Sequence, residues 1–367
     1  MKPLRIIIAG GGTGGHIFPA VAIGHALRVK MPDTKLLFVG AKGKMEMTKV
    51  PLEGFDIVGL DIAGFNRSNL WKNLFLPIKM LKSYLAARKI LRDFHPDVVV
   101  GVGGYASFPM LQAAQQKGIP TLIQEQNSFA GKTNKILGRK AKAICVAYDN
   151  MERFFPKENI LTTGNPVRKS ISQCAVTRQQ AVAWLGLHPS KKTLLVIGGS
   201  LGAKAVNEAI GKHLQEIMSW GVQLLWQTGT PYYQEALQLA APYQDNVKVM
   251  EFIREMDYAY TVSDIVVSRA GALSIAELCI VAKPVVFVPF PFAAEDHQTS
   301  NAQALVDKGA ALMVRNDRVM EQLVPTLKAL LDNEAQQITM QQQLQKLAVT
   351  NADSIIADKI IDIAQHS

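Results

Sequence analysis

Short runs of apolar, mostly β-branched residues recur along the chain, and glycines or polar turn residues follow each one. Such runs are typical of buried parallel strands. They occur at 6–9, 35–40, 57–60, 97–100, 120–124 and 143–146, and again at 193–197, 222–226, 247–250, 265–267 and 285–288. Helical patterns separate them. The alternation predicts an α/β fold of two doubly wound, Rossmann-like domains with parallel sheets and a cleft between them.

Three of these strands run directly into glycine-rich turns. The first turn reads Gly10-Gly11-Gly12-Thr13-Gly14-Gly15-His16, and similar turns lie at 101–105 and 198–203. Without Cβ atoms, backbone N–H groups can close on a bulky anionic or sugar-like ligand. The apolar helical pattern from Ile17, with Pro19 in its first turn, places the positive end of a helix beside the first turn. We therefore expect ligands at these strand ends.

Polar side chains at two strand ends of the first half are candidates for acid–base chemistry. His16 has an ordinary pKa of about 6.5, which suits proton transfer near neutrality. Glu125, Gln126 and Asn127 follow the strand at 120–124, and with His16 and Tyr105 they are expected to line the cleft. We take His16 as the candidate base and Glu125 as the alternative.

The second half carries two segments suited to a nucleotide sugar. After the strand at 265–267, small residues open a helix on which a phosphate can sit, and Arg269 can neutralise its charge. Glu277, one turn further on, can accept bonds from the hydroxyls of a ribose. The polar cluster at 295–301 begins another helix and is suited to reading sugar hydroxyls.

Length and charge suggest how the chain is divided. Its 367 residues are enough for two cores, and turn residues at 164–168 coincide with a change in charge. We expect domains at 1–164 and 165–346, with a helix at about 347–367 that packs back on the first. The net charge is +12 through Val167 and −2 afterwards. This charge favours an anionic partner for the first half, namely a membrane surface, a nucleic acid or a phosphorylated substrate, and the alternative is a basic surface that only confers solubility.

Several features argue against other classes of protein. The three cysteines are widely spaced, which fits a reducing cytoplasm and predicts no metal site. The apolar run at 6–8 is too short for a signal peptide, and no uncharged apolar stretch is long enough to span a bilayer. The second strand ends in FVGAK rather than in an acidic residue, which disfavours a nicotinamide-dependent oxidoreductase.

Seven motifs in this order and spacing resemble the bacterial MurG family. They are GGGTGGH, GVGGY, EQN, NPVR, GGSLGA, SRAGALSIAE and DHQTSNA, and they cover nearly the whole chain. Leu201 stands where the family often has Gln, Ala270 replaces a frequent Ser, and 290–292 lengthens the approach to the last motif. The resemblance implies GT-B architecture, with the acceptor in the N-terminal domain and the donor, UDP-N-acetylglucosamine, in the C-terminal one.

The resemblance also assigns site residues. Arg168 and Ser200 would contact the donor nucleotide and its phosphates, and the backbone of Ile253 would meet uracil. The remaining substrate-binding positions are Thr13, Gly14, Gly15, Asn127, Ala272, Leu273, Ser274, Ile275, Ala276, Glu277, Gln298 and Asn301. Among these, Glu277 would hold the ribose, and Gln298 and Asn301 would read the sugar. His16 is again the candidate base.

The implied reaction is an inverting transfer of N-acetylglucosamine to the C4 hydroxyl of undecaprenyl-pyrophosphoryl-N-acetylmuramyl-pentapeptide. No metal is expected, because the sequence contains no Asp-x-Asp spacing. No cofactor is expected either, since UDP-N-acetylglucosamine is a substrate. The resemblance implies no nucleic-acid partner. A UDP-sugar epimerase of the same architecture is the alternative enzyme. A non-catalytic membrane-binding module is a third reading, but it leaves the donor segment unexplained.

The helical stretch at about 70–94 predicts a peripheral position on the cytoplasmic side of the cell membrane. One apolar stripe, Leu70, Leu74, Ile78, Leu81 and Leu85, can cover the sheet, and the sequence does not show which face of the helix meets lipid. Trp71, Phe75, Leu76 and Met80 lie off that stripe among lysines and arginines, as in an interfacial anchor on anionic lipid. The family resemblance places the membrane patch around Leu74, Ile78, Leu81 and Tyr84.

Overall fold

The computed structural model describes residues 3–62, 76–199 and 201–366. The chain forms two compact units, of which the first comprises Met1–Arg168 and Asn351–Ser367 and the second Lys169–Thr350. The expected boundary at 164/165 falls four residues short, because Asn165 is held within the first unit. Its Nδ2 donates to the Gln126 carbonyl at 3.0 Å, and its Oδ1 accepts from Gln124 at 2.9 Å. Arg168, expected in the second domain, therefore belongs to the first unit.

The first unit is built on a seven-stranded parallel sheet. Its strands are β1 (Arg5–Ala9), β2 (Lys35–Ala41), β3 (Ile57–Leu60), β4 (Val98–Gly101), β5 (Thr121–Glu125), β6 (Ala143–Val146) and β7 (Ile160–Thr162). The order is β3-β2-β1-β4-β5-β6-β7, so the chain reverses direction across the sheet between β1 and β4. Ile6 pairs with Val98, and Ala9 pairs with Gly101. The glycine turns after these two strands therefore start side by side.

The second unit repeats the plan with six parallel strands. They are β8 (Thr193–Ile197), β9 (Gln223–Gln227), β10 (Val247–Met250), β11 (Ile265–Ser268), β12 (Val285–Phe287) and β13 (Leu312–Met313). Their order is β10-β9-β8-β11-β12-β13, and the reversal lies between β8 and β11. These are the strands that lead into the turn at 198–203 and the segment at 269–277.

Helices connect the strands. They are α1 (Gly14–Lys30), α2 (Glu46–Leu52), α3 (Leu76–Phe94), α4 (Ser107–Gln116), α5 (Lys132–Gly138), α6 (Lys169–Ser172), α7 (Arg178–Leu185), α8 (Lys204–Lys212), α9 (Leu214–Ser219), α10 (Tyr233–Ala240), α11 (Met256–Val262), α12 (Ala272–Val281), α13 (His297–Val306), α14 (Val319–Leu331), α15 (Glu334–Leu347) and α16 (Ala352–Gln365).

The two faces of the first sheet pack against different helices. Ile6 and Ile8 lie in one apolar cluster with side chains of α1 and α16, whereas Ile7 and Ala9 lie in another with side chains of α3, α4 and α5. Successive residues of a strand face opposite sides, which explains why every position of β1 after Arg5 is apolar. Because α1 contacts both the sheet and α16, it is apolar around most of its circumference. The last helix thus completes the first core.

Several sequence-based bounds differ from the structure. β7 and β13 were not predicted, since strands of two or three residues at a sheet edge give too short a pattern. The stretch from Glu334 to the end forms two helices, α15 and α16, because the chain leaves the second unit at Thr350. α1 begins at Gly14 rather than at Ile17, so Pro19 lies inside the helix and His16 lies in its first turn.

Candidate active site

His16 lies at the carboxyl edge of the first sheet, where β1 gives way to α1. Thr13 precedes the helix in an extended conformation, and the exposed Gly15 is its second residue. The imidazole Nδ1 is 3.1 Å from the Gly11 carbonyl oxygen and 3.3 Å from Thr13 Oγ1. Because a carbonyl oxygen only accepts, this contact assigns the proton of neutral His16 to Nδ1. The lone pair then lies on Nε2, the nitrogen that can take up a proton.

The turn after β4 supports the His16 ring from the side. Gly103 has φ +91°, and a Cβ there would lie 2.7 Å from both Cδ2 and Nε2 of His16. Gly104 has φ +87°, and its Cβ would meet the Gly11 carbonyl oxygen at 2.1 Å. The Gly11 N–H also donates to the Gly103 carbonyl at 3.2 Å. Both glycine turns are needed because each occupies the space that a side chain of the other would fill.

Glu46 is a functional residue of this loop that sequence reasoning missed. It is buried at the start of α2, and its two carboxylate oxygens accept from the N–H groups of Gly12 and Ala41, each at 2.9 Å. A Cβ on Gly11 would approach the Glu46 carboxylate to 2.3 Å. In the sequence Glu46 stands among lysines and belongs to no recognisable motif, so only its place between two glycine-bearing strands could have singled it out.

Glu125, the alternative base, holds a loop together. It is buried, and its oxygens accept from the backbone N–H groups of Asn127 and Gly131, both at 3.1 Å, and from Asn134 Nδ2 at 2.8 Å. Burial raises the pKa of Glu125, and these hydrogen bonds oppose that rise. The structure therefore argues against Glu125 as a base, because its oxygens are occupied by the chain itself. Asn127 Nδ2 lies 3.3 Å from the same carboxylate.

Arg168 ends the first unit with its guanidinium over an aromatic ring. Its Cζ lies 5.3 Å from the centre of the Phe18 ring, which projects from the first turns of α1. Arg168 is half-buried. A cation–π contact of this kind holds the charge close to the His16 helix.

In the second unit, the turn after β8 packs against the end of β9. Gly202 has φ +74°, and a Cβ there would meet the Thr228 carbonyl oxygen at 1.8 Å. Gln227 brackets the turn: its Oε1 accepts from the Gly198 N–H at 3.2 Å, and its Nε2 donates to the Gly199 carbonyl at 2.8 Å. Leu201 projects outward and is 77% exposed. The predicted donor contact at Ser200 lies outside the described residues.

α12 begins beside this turn, as β11 is paired with β8. Gly271 is its N-cap and gives no side-chain hydrogen bond to the first N–H groups of the helix, where the positive end of the helix dipole lies. Ala272, Leu273 and Ser274 form the first turn, and Ile275 and Ala276 follow.

Glu277 is buried in α12. The hydroxyl of buried Tyr260 donates to its Oε2 at 3.1 Å. The side chain is thus oriented by a residue of α11.

Arg269 does not face a ligand, contrary to expectation. One guanidinium nitrogen donates to the carbonyl oxygens of Val288 and Pro289, both at 3.0 Å, and to Asn316 Oδ1 at 2.8 Å. Burial lowers the pKa of Arg269 to about 10, so it remains charged at neutral pH. Its role is to join the ends of β11 and β12.

The predicted sugar-reading cluster lies on a strained turn. Glu295 and Asp296, with φ of 55° and 52°, are consecutive non-glycine residues in the left-handed region, and such residues concentrate at functional sites. Gln298 is half-buried, and its Oε1 accepts from the Phe290 N–H at 2.9 Å. Asn301 is completely buried, with Nδ2 3.5 Å from the Ala270 carbonyl oxygen. Asn301 therefore supports the turn before α12, and its predicted contact with a sugar is disfavoured by burial.

Ile253 lies between β10 and α11 with its side chain buried. This leaves only its backbone for a ligand, which is the kind of contact expected there. Within the described ranges, no group of three or more His, Cys, Asp or Glu side chains could hold a metal ion.

The described part of the apolar stripe of α3 faces outward, and its Ile78 and Leu81 are among the residues that the family resemblance places in a membrane patch. Ile78, Leu81 and Leu85 are 52%, 60% and 54% exposed, whereas Ala87 and Leu91 are buried against the sheet. Tyr84 is half-buried and hydrogen-bonds Gln116. One turn beyond the stripe, a cavity of about 230 Å³ is lined by Leu85, Arg88, Lys89, Arg92 and Lys117. The predicted membrane residues at 70–75 lie outside the described residues.

Comparison with known proteins agrees with this geometry. The glycosyltransferase family 28 N-terminal domain matches residues 6–146, and the C-terminal domain of the same family matches 193–356. A protein of Parabacteroides distasonis is 48% identical over 99% of both chains. It is named UDP-N-acetylglucosamine--N-acetylmuramyl-(pentapeptide) pyrophosphoryl-undecaprenol N-acetylglucosamine transferase. The chain belongs to the MurG family of glycosyltransferases.

Solved structures add to this assignment. The MurG structure from Acinetobacter baumannii superposes with a TM-score of 0.79 at 30% identity, over 98% of this chain and all of that one. UDP-GlcNAc 2-epimerase from Neisseria meningitidis, solved with bound UDP-GlcNAc, gives 0.68 at 15% identity over 98% and 100% of the two chains. The second likeness shows a shared fold. The expected family and the two-domain α/β architecture are thus confirmed.

The contact between Gly103 and His16 generates a test with a matched control. Gly103→Ala should displace the imidazole, because the new methyl group would meet the ring at 2.7 Å. Gly12→Ala introduces similar backbone strain at φ +90°, but nothing lies within 4 Å of its Cβ. We expect the His16 imidazole NMR signals and transferase activity to change much more in Gly103→Ala than in Gly12→Ala. Equal effects in two variants of equal thermal stability would contradict the contact.

Proposed function

We propose that this protein transfers N-acetylglucosamine from UDP-N-acetylglucosamine to undecaprenyl-pyrophosphoryl-N-acetylmuramyl-pentapeptide, a step of peptidoglycan synthesis. The name of the Parabacteroides distasonis relative contains both substrates, which supports their assignment to this protein. The observation that carries the chemistry is the position of His16 at the reversal point of the first sheet, with Nδ1 held by the Gly11 carbonyl. Ligands of doubly wound sheets bind at such points.

The chemical step follows from this arrangement. His16 Nε2 takes the proton of the acceptor C4 hydroxyl as its oxygen attacks the anomeric carbon of the donor. The new C–O bond forms as the bond from the anomeric carbon to the phosphate oxygen breaks, with inversion, and UDP leaves with the electron pair. The N-terminal end of α12, at Gly271 and Ala272, stabilises the negative charge on the departing diphosphate.

The second unit is the donor-binding unit of this proposal. Glu277 accepts bonds from the ribose hydroxyls, and Tyr260 orients it. Gln298 contacts the sugar from the strained turn, and the backbone of Ile253 contacts uracil. Arg168, in the first unit, contacts the donor phosphates. No metal or other cofactor is needed, because a helix N-terminus is available to the diphosphate and the sequence lacks an Asp-x-Asp motif.

A direct assay distinguishes this function from the epimerase alternative. Radiolabelled UDP-N-acetylglucosamine is incubated with the lipid acceptor, and the organic phase is counted. Transfer places label in the lipid, whereas an epimerase leaves all label in the aqueous phase as a UDP-sugar. The epimerase reading retains support only from the fold, and it gives no role to the basic charge of the first unit.

Replacement of His16 tests the catalytic base. His16→Ala should lower kcat by about 10²–10⁴-fold, the usual contribution of general base catalysis. A base must be deprotonated to act, so the wild-type rate should fall towards acidic pH as the imidazole takes up a proton, and this limb should vanish in the variant. His25→Ala, at an exposed position on the same helix, is the control. A normal kcat with a raised acceptor KM would make His16 a binding residue.

Replacement of Glu277 tests the donor site. Glu277→Gln keeps an acceptor for the Tyr260 hydroxyl, so the thermal stability should stay close to that of wild type. It removes the charge that strengthens bonds from ribose hydroxyls, and the donor KM should rise about tenfold, or 1.4 kcal/mol. Glu277→Ala should also lose stability, because it leaves a buried hydroxyl without its acceptor. Glu321→Gln, at an exposed position of α14, serves as control. An unchanged donor KM in Glu277→Gln would exclude Glu277 from the site.

We propose further that the protein acts at the cytoplasmic face of the cell membrane as a peripheral protein held by α3. Among the described residues, no helix is both long enough and apolar enough to cross a bilayer. The exposed side chains of Ile78, Leu81 and Leu85 supply an apolar face, and the neighbouring Arg88 and Lys89 supply positive charge. This combination favours anionic lipid, and each basic residue near the surface contributes about 1 kcal/mol.

Vesicle sedimentation tests the membrane proposal. A variant with Ile78, Leu81 and Leu85 changed to Ser should bind anionic vesicles much less than wild type, and wild-type binding should weaken with salt. Because the three side chains are exposed, the variant should remain folded. The control variant changes three exposed apolar residues elsewhere, Leu52, Leu201 and Ile338, to Ser. Equal binding by both variants, or equal binding of wild type to neutral and anionic vesicles, would contradict the proposal.

A further inference from the structure

A second cavity, of about 450 Å³, lies within the second unit. Its walls come from α6, from α11 and from Ile280 and Val281 at the C-terminal end of α12, whereas the proposed donor site uses the N-terminal end of that helix. Sites for small molecules typically have volumes of about 300–1,000 Å³. The cavity is therefore large enough for a small ligand of its own.

Two opposite charges line this cavity without a counterion. Among the described residues, the side chains of Lys283 and Asp257 make no hydrogen bond or ion pair. Asp264, whose charge Lys283 senses, accepts instead from Arg178 at 3.0 Å and from the Thr193 N–H at 2.7 Å. Partial burial lowers the pKa of Lys283. An ammonium group and a carboxylate are thus both available to a ligand.

The position of Lys283 is fixed by the backbone before it. Ala282 ends α12 in the left-handed conformation, with φ 49°, which is strained for a non-glycine residue. Strain of this kind is retained where the surrounding structure determines it. The remaining walls include the apolar side chains of Ile171, Val176, Ile280 and Val281.

We propose that this cavity binds a small zwitterion with an apolar body, such as an aliphatic α-amino acid, and that its occupancy alters donor affinity. The ligand carboxylate meets Lys283, its ammonium group meets Asp257, and its side chain contacts the apolar wall. A neutral ligand would leave both protein charges unmatched, and a simple anion would leave Asp257 unmatched.

Two features connect the cavity to the donor site. Tyr260 lines the cavity, and its hydroxyl orients Glu277 at 3.1 Å. Ile171 lies just after the chain enters the second unit, and Thr350 is the last residue before it leaves, so both connections border the ligand. This coupling rests on the function proposed above, whereas binding itself does not.

The binding test uses a thiol inside the cavity. Cys174 lines the cavity and is exposed, while Cys145 and Cys279 are buried, so the rate of alkylation by iodoacetamide reports on occupancy. Alanine, valine and leucine are compared at about 10 mM, roughly ten times a millimolar dissociation constant. Leucine should slow alkylation several-fold. Its two half-molecules, 4-methylpentanoate and 3-methylbutylamine, should protect much less.

Variants test whether the protection of Cys174 from alkylation arises from ligand bound in the cavity. It should be lost in Lys283→Gln and Asp257→Asn and retained in Lys212→Gln, which changes an exposed lysine outside the cavity. Protection by 4-methylpentanoate equal to that by leucine would overturn the zwitterion, and protection that survives in both cavity variants would overturn the site. No protection by any of the three amino acids would also overturn it.

The coupling test measures the donor KM with and without leucine. Leucine should change it about fivefold or more, a usual size for coupling between sites, and should have little effect in Tyr260→Phe. An unchanged KM at full thiol protection would overturn the coupling. A protein without transferase activity would overturn the proposed function instead, and the thiol measurement would still decide whether the cavity binds.

Discussion

The close approach of two backbone turns is the constraint on which the site of the first unit depends. Gly104 lies against the Gly11 carbonyl with no room for a methyl group, and that same carbonyl fixes Nδ1 of His16. The turns meet because β1 and β4 are paired where the strand order reverses. Topology thus brings the turns together, the absence of side chains lets them touch, and contact between them sets the tautomer of the one titratable group in the first turn.

The second unit uses the same constraint for a different purpose. Gly202 lies against the Thr228 carbonyl oxygen, just as Gly104 lies against the Gly11 carbonyl oxygen. Gln227 holds this turn through hydrogen bonds to the backbone of Gly198 and Gly199. The helix starts beside the turns differ between the units, however. In the first unit a histidine lies in the first turn of α1, whereas in the second unit a glycine is the N-cap of α12. In the function proposed above, the same frame serves proton transfer in one unit and stabilisation of negative charge in the other.

Much of this could be predicted from the sequence, because strands buried on both faces are continuous apolar runs. β8 and β10 were predicted with their observed bounds, and the glycine turns were correctly associated with strand ends. Short edge strands were missed, since β13 has only two residues. For the stripe on α3 the sequence leaves open which surface it meets, because periodicity shows that a helix has an apolar face but not whether the sheet or the solvent meets it.

Side chains that contact a ligand and side chains that hold the backbone around it cannot be separated by motif alone. Glu125, Arg269 and Asn301 all lie in segments that suggest chemistry, yet each spends its hydrogen bonds on the chain. Glu46 also accepts a hydrogen bond from the backbone, although its segment carries no motif that suggests chemistry. The reason is physical: a loop that opens its N–H groups to a ligand must have its other polar groups satisfied from beneath, and buried polar side chains supply those bonds. A dense polar motif at a strand end therefore contains both layers, and the hydrogen bonds that each side chain already makes within the chain help to tell them apart.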